Sequence, residues 1–274
     1  MKKLLFTALL ILVLTALAAC GGKDKSEEAT ESLLSDGVLT VGVTAGPHEE
    51  IVEKVKELAA KDGLEIKIQP FSDYVMPNVA LAESEIDMNI FQTIPFFEQM
   101  KKDRNLDLVS VGETVTFPMG IYSNEVKDVS ELPEGAKIGL PNDPTQGGRA
   151  LMLFESAGMI TIEEGLDSNA TVNDIVDNPK QFQFIELDAA QIPRQLIELD
   201  AAAINTNFAI DAGLSPAEDS IFIEPKDSPF VNIIAVRAES KDDEVIQQFV
   251  DLYRSEEVKQ FIEERFDGSL IPSW

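Results

Sequence analysis

Few residues in this chain are arranged for bond-making chemistry. It holds one histidine, His48, and one cysteine, Cys20. A Ser-His-Asp or Cys-His device needs a histidine with partners, and His48 reads as a polar residue at a loop-helix junction. No HExxH, CxxC, Walker A or GxGxxG spacing occurs. A lone imidazole beside Glu49 and Glu50 is a weak start for a metal site. The 49 Asp and Glu read mostly as solvated surface. The residue types therefore point away from an enzyme, and no metal or cofactor is expected.

What remains suits recognition of a small polar molecule. In Pro141-Asn142-Asp143-Pro144-Thr145-Gln146-Gly147-Gly148-Arg149, a strand over 137–140 runs into a turn over 142–145 and then a helix over 147–157. Free N–H groups and the dipole at a helix start suit an anion. Gly147 and Gly148 allow close backbone approach, and Arg149 can grip a carboxylate with two parallel hydrogen bonds. From the pattern alone, Arg149 is equally well a surface helix residue. In Ala203-Ile204-Asn205-Thr206-Asn207 an apolar strand ends in two asparagines, whose amides offer donors and acceptors to a zwitterion. Asn205 is also placed to cap a following helix. Tyr74, in Phe71-Ser72-Asp73-Tyr74, and Phe91, in Phe91-Gln92-Thr93-Ile94-Pro95-Phe96-Phe97, can wall an apolar pocket. Pattern alone favours core packing for these rings.

The elements that must hold these residues alternate. A β-rich run over 38–43 and a turn over 44–47 precede a helix from Pro47 with Ile51, Val52, Val55, Leu58 and Ala59 on one face, and Gly63 stops it. A strand over 64–68 follows. Strand, helix, strand implies a parallel sheet covered by helices. The alternation continues with helices over 77–83 and 94–104, a strand over 86–90, and extended runs over 106–111 and 115–122. Strands over 182–187, 201–204 and 230–236 come later, then two closing helices over 242–254 and 256–266. The fold class is α/β.

The chain has 274 residues and a formal net charge of −27. Such acidity repels nucleic acid and anionic headgroups, so no nucleic-acid partner is expected. Lys2 and Lys3 precede an apolar run over 4–17, too short for a comfortable membrane span. This is the plan of a secretory signal over residues 1–19. Leu17-Ala18-Ala19-Cys20 resembles the bacterial lipobox, which implies cleavage before Cys20 and its lipidation. Residues 20–35 then read as a lipidated cysteine with a polar, flexible tether. The expected location is extracytoplasmic, anchored to the cell membrane through Cys20.

Several stretches together resemble the methionine-binding (MetQ/NlpA) lipoprotein family. They are Val41-Gly42-Val43-Thr44-Ala45-Gly46-Pro47-His48, Phe71 to Asn78, Asp87 to Pro95, Pro141 to Thr145 with Gly148-Arg149, Asp174 to Lys180, Ala203 to Asn207, and Asp227 to Asn232. The resemblance runs from residue 38 to the C-terminus. It implies a two-lobed, type II periplasmic-binding-protein fold with ligand in the inter-lobe cleft. It also implies L-methionine or a close analogue as ligand, and delivery to the permease and ATPase subunits of an ABC importer. By carry-over, Arg149 holds the ligand carboxylate. Asn205, with Asn207, and Asn232 hold its polar end, and Tyr74 and Phe91 line the side-chain pocket. Lobe one is expected over 36–118 plus 237–274 and lobe two over 119–236, with crossovers near 116–119 and 234–237.

Three positions depart from the family pattern. Thr93 stands where histidine is common near the pocket, Phe97 where tyrosine is frequent, and Gln146 where asparagine is frequent. Thr93 cannot replace an imidazole contact, which keeps a methionine-containing dipeptide or another apolar amino acid open as ligand. The rivals in other classes are an enzyme or an adhesin on the same scaffold.

Overall fold

A computed structural model describes residues 37–225 and 228–274. The expected signal segment, Cys20 and the tether lie outside the described residues. The first half of the chain runs β1 (Val38–Thr44), α1 (Pro47–Ala59), β2 (Glu65–Phe71), α2 (Met76–Ala82), β3 (Met88–Thr93), α3 (Ile94–Arg104), β4 (Leu108–Thr116), β5 (Gly120–Tyr122), β6 (Lys137–Pro141) and α4 (Pro144–Ser156). The second half runs β7 (Thr161–Ile162), β8 (Ile175–Asp177), β9 (Gln183–Leu187), α5 (Ile192–Gln195), β10 (Ala201–Ile204), α6 (Thr206–Asp211), α7 (Pro216–Asp219), β11 (Ser220–Ile223), β12 (Val231–Arg237), α8 (Glu244–Tyr253), α9 (Glu256–Phe266) and β13 (Ile271–Pro272).

Two sheets organise two lobes. The first has six strands in the order β13-β4-β12-β3-β1-β2, and the second has five in the order β11-β5-β10-β6-β9. In the first, β1 pairs in parallel with β2 and β3, while β12 runs antiparallel to β3 and β4. In the second, β6 pairs in parallel with β9 and β10. The cores follow from the apolar runs. Leu39, Val41 and Val43 of β1 pack with Ile51, Val52 and Val55 of α1 and with Ile246, Phe249 and Ile262 of the closing helices. Ile138, Leu140, Leu151, Phe154 and Ala203 form the core of the second lobe. Helices cover the faces of each sheet, so parallel strands can be buried on both sides.

The chain passes from the first sheet to the second between Thr116 and Gly120, and returns between Ile223 and Val231. The return corrects the sequence reading, which put residues 231–236 in the second lobe. Along its length β12 hydrogen-bonds to β3 and β4, from Val231 opposite Thr116 to Arg237 opposite Leu108. Its mostly apolar run, interrupted by Asn232, fits a central strand of either sheet, so sequence could not assign it. Two local readings also change. Residues 108–116 form one strand, ending before the crossover. The helix expected over 147–157 begins at Pro144, where Asp143 is the N-cap and accepts from Gln146 N at 3.0 Å. Proline at the first helical position is preorganised for that start.

Candidate functional site

In each lobe the parallel strands end toward a common cleft and hand the chain to a helix, the usual place for ligands in open α/β sheets. Thr93 ends β3, and Asn232 pairs with it on β12. His48 lies in the first turn of α1, Gln146 and Arg149 in the first two turns of α4, and Asn205 directly after β10. Helix α4 is held close by its glycines. A Cβ on Gly147 would sit 2.8 Å from the Pro141 carbonyl oxygen, and one on Gly148 2.2 Å from that of Ser168. The close approach read from these glycines is thus made by protein backbone. It presses α4 onto its neighbours and so fixes where Arg149 projects.

These elements enclose a cavity lined by His48, Tyr74, Phe91, Gln92, Thr93, Phe96, Phe117, Gln146, Arg149, Asn205, Thr206, Asn207 and Asn232. All seven ligand-binding candidates from the sequence (Tyr74, Phe91, Thr93, Arg149, Asn205, Asn207 and Asn232) line it. Phe97, one of the three departures, is buried in a separate apolar cluster with Leu81 and Ile233. Thr93 and Gln146, the other two, face each other across the cavity, with Gln146 Nε2 donating to Thr93 Oγ1 at 3.4 Å.

One end of the cavity is polar. Arg149 is 2% exposed. Its Nε donates to Glu224 Oε1 at 2.8 Å and its Nη2 to Glu224 Oε2 at 2.6 Å. Nη2 also donates to the Phe117 carbonyl at 2.7 Å, and the guanidinium lies 4.5 Å from the centre of the Phe230 ring. Among the described residues, Nη1 has a single long contact, 3.4 Å to Gln146 Oε1. The expectation that Arg149 offers a ligand two parallel hydrogen bonds is therefore corrected. Its fork is taken by Glu224, and Nη1 is the group it can present. Asn205 donates through Nδ2 to Gln146 Oε1 at 2.8 Å and makes no side-chain cap on α6. Its Oδ1, together with Asn207 Nδ2 and His48 Nδ1, is buried without a hydrogen-bond partner among the described residues. All three residues line the cavity. Asn232 donates through Nδ2 to the Val115 carbonyl at 2.9 Å.

The other end is aromatic. Tyr74 lies 5.9 Å from Phe91 and 5.9 Å from Phe96, and stacks on Phe208 at 4.9 Å. Its hydroxyl donates to Asn207 Oδ1 at 2.6 Å, joining the first lobe to the second. Burial pushes the Tyr74 phenol well above its ordinary value, so it stays neutral. The lobes are further joined where Thr206 Oγ1 donates to the Pro118 carbonyl in the crossover.

His48 sits at the loop-helix junction where the sequence placed it. It is 2% exposed and stacks on Phe117 with ring centres 4.3 Å apart. Burial lowers its pKa to about 3, so the imidazole is neutral at ordinary pH. Sequence reasoning also missed Gln146 as a polar hub and Glu224 as the partner of Arg149. One carboxylate among 49 carries no mark of its role. Among the described residues, no group of three or more His, Cys, Asp or Glu is placed to hold a metal ion, and no helix is long and apolar enough to cross a membrane.

Comparison with known proteins agrees with this architecture. The family model of the NlpA lipoproteins matches residues 39–274. The D-methionine-binding lipoprotein MetQ of Salmonella typhi is 40% identical over 262 residues, covering 94% of this chain and 93% of its own. A nutrient-binding protein from Burkholderia cenocepacia, solved bound to methionine, is 44% identical with a TM-score of 0.84, covering 86% of this chain and all of its own. A periplasmic substrate-binding protein of an ABC transporter from Coxiella burnetii is 41% identical with a TM-score of 0.82, at the same coverage.

Proposed function

We propose that this chain, which belongs to the NlpA lipoprotein family, binds methionine in the inter-lobe cavity and delivers it to the permease of an ABC importer. The observation that carries the reading is an inter-lobe cavity with a polar end and an aromatic end. The ligand carboxylate meets Arg149 Nη1 and Asn207 Nδ2. The ammonium donates to the amide oxygens of Asn205 and Asn232. The thioether lies among Tyr74, Phe91 and Phe96, where sulfur against ring edges is favourable by roughly 0.3–1.5 kcal/mol. Thr93 and Gln146 bridge the cavity with their own hydrogen bond, so the absence of histidine at 93 does not open that wall.

The mechanism needs no covalent step, and the chain acts as a carrier, not an enzyme. Both lobes contribute to the cavity, so ligand binds the closed arrangement better than an open one and shifts the population toward closure. A closed, loaded carrier is what a permease can distinguish from a free one. Lipidation of Cys20 holds the carrier at the outer face of the membrane, within reach of that permease.

The test is a thermal-shift panel on the whole chain in detergent, unfolded and refolded to strip carried ligand. L-methionine, D-methionine, methionine dipeptides and the other L-amino acids are compared. A ligand at a hundred times its Kd adds about 2.7 kcal/mol to the native state. The reading expects methionine to give the largest shift. No shift with methionine, and a shift with another compound, would refute the ligand while leaving the carrier class standing.

A further inference from the structure

We propose that Glu224 sets the charge selectivity of the cavity. By neutralising Arg149 from behind, it tunes the site to ligands of zero net charge and against anions of the same shape. The proposal rests on the reading of the cavity as an amino-acid site. Among the described residues that line the cavity, Arg149 is the one carrying a fixed charge. An unpaired arginine there would draw in any carboxylate. Glu224 is not a lining residue, yet it meets the guanidinium edge to edge at 2.8 and 2.6 Å.

The carboxylate is itself built into the crossover. Oε2 accepts from Met119 N at 2.9 Å and from Ser228 Oγ at 3.3 Å, and Glu224 N donates to the Met119 carbonyl at 2.9 Å. Glu224 is 8% exposed, so its charge is poorly screened by water. Among the described residues, Asp143 also feels the charge of Arg149, and it is engaged as the N-cap of α4 by Gln146 N and Thr145 Oγ1.

Two consequences follow. Glu224 leaves only Nη1 for a ligand, which fixes the position of a single carboxylate oxygen. Its negative charge also repels an incoming anion unless that ligand carries a compensating ammonium. The residue acts through Arg149 and through its field, without touching the ligand, and is a positioning and specificity residue.

The test compares three ligands with one side chain: methionine (net zero), 4-(methylthio)butanoate (net −1, no ammonium) and methioninamide (net +1). Calorimetric Kd values are measured on the refolded whole chain in detergent and on Glu224→Gln. In the wild type, both charged analogues should bind at least tenfold more weakly than methionine. In Glu224→Gln the ratio of butanoate to methionine affinity should move at least tenfold toward the butanoate. A merely structural role would weaken all three ligands alike and leave that ratio fixed, which would overturn the proposal. If Glu224→Gln does not fold, the wild-type series decides. There 4-(methylthio)butanoate is compared with its amide, since both lack the ammonium that Asn205 and Asn232 hold, and a preference of tenfold or more for the anion overturns the proposal. Failure of methionine itself to bind would instead strike the ligand reading on which the proposal rests.

Discussion

Replacing Tyr74 by phenylalanine removes one oxygen and leaves the ring in place. The stacking on Phe208 at 4.9 Å and the edge contact with Phe96 at 5.9 Å survive. What is lost is the 2.6 Å hydrogen bond from the phenol to Asn207 Oδ1, which joins the lobes. In an open form both groups are hydrated, so the variant loses nothing there. On closure, Asn207 Oδ1 must leave water without a partner, in a residue only 4% exposed. Leaving a buried acceptor unpaired costs about 1–3 kcal/mol. Since ligand is held by the closed form, the full cost appears in binding, as a Kd raised roughly 5- to 150-fold. Calorimetry with methionine on the stripped protein measures it, and stopped-flow release should place most of the change in koff. A Kd within twofold of wild type would refute the claim that this contact stabilises closure.

Other perturbations separate stability from recognition. Arg149→Ala should abolish methionine binding. It should also destabilise the ligand-free protein by about 3–5 kcal/mol in a denaturant melt, because Glu224 is left buried and unpaired. His48 has an ordinary pKa of 6.5 and a folded one of about 3. Its neutral state therefore costs nothing above pH 6.5, and stability falls as pH drops from there toward 3, by up to about 1.36 kcal/mol per pH unit. His48→Phe should flatten that part of the stability curve, measured by urea unfolding from pH 7 to 4. Gly148→Ala places a Cβ 2.2 Å from the Ser168 carbonyl oxygen. It should lower stability by about 1–3 kcal/mol and weaken methionine binding as α4 shifts, seen in the denaturant midpoint and the calorimetric Kd.

Much of the fold is legible because local signals agree with global need. Helix α3 starts at Ile94 with Pro95 in its first turn and ends at Asn105 in the left-handed region. Helix α9 is bounded by the Ser255 cap and the left-handed Asp267. Each end has a residue whose backbone preference marks it. Sheet membership is different. Strand β12 reads as a strand from its β-branched run, but which sheet it joins depends on pairing with β3 and β4, distant in sequence. The site divides the same way. Arg149, Asn205 and Asn207 are polar types in or beside helix starts, whereas Tyr74 and Phe91 read by pattern as core and enter the pocket reading through the family resemblance. Glu224 becomes visible only when the crossover folds it against Arg149, and His48 only when Phe117 closes over it. The Gly147-Gly148 pair announced close approach correctly, but its partner, backbone rather than ligand, is a matter of tertiary packing.

The most direct measurement is a crystal structure of the refolded protein with methionine. It should show electron density for one methionine in the cavity, with a carboxylate oxygen at hydrogen-bond distance from Arg149 Nη1 and the ammonium on the oxygens of Asn205 and Asn232. The sulfur should lie among Tyr74, Phe91 and Phe96, and the Arg149–Glu224 pair should be intact. Methionine bound elsewhere, or bound with its side chain toward Arg149, would contradict the account.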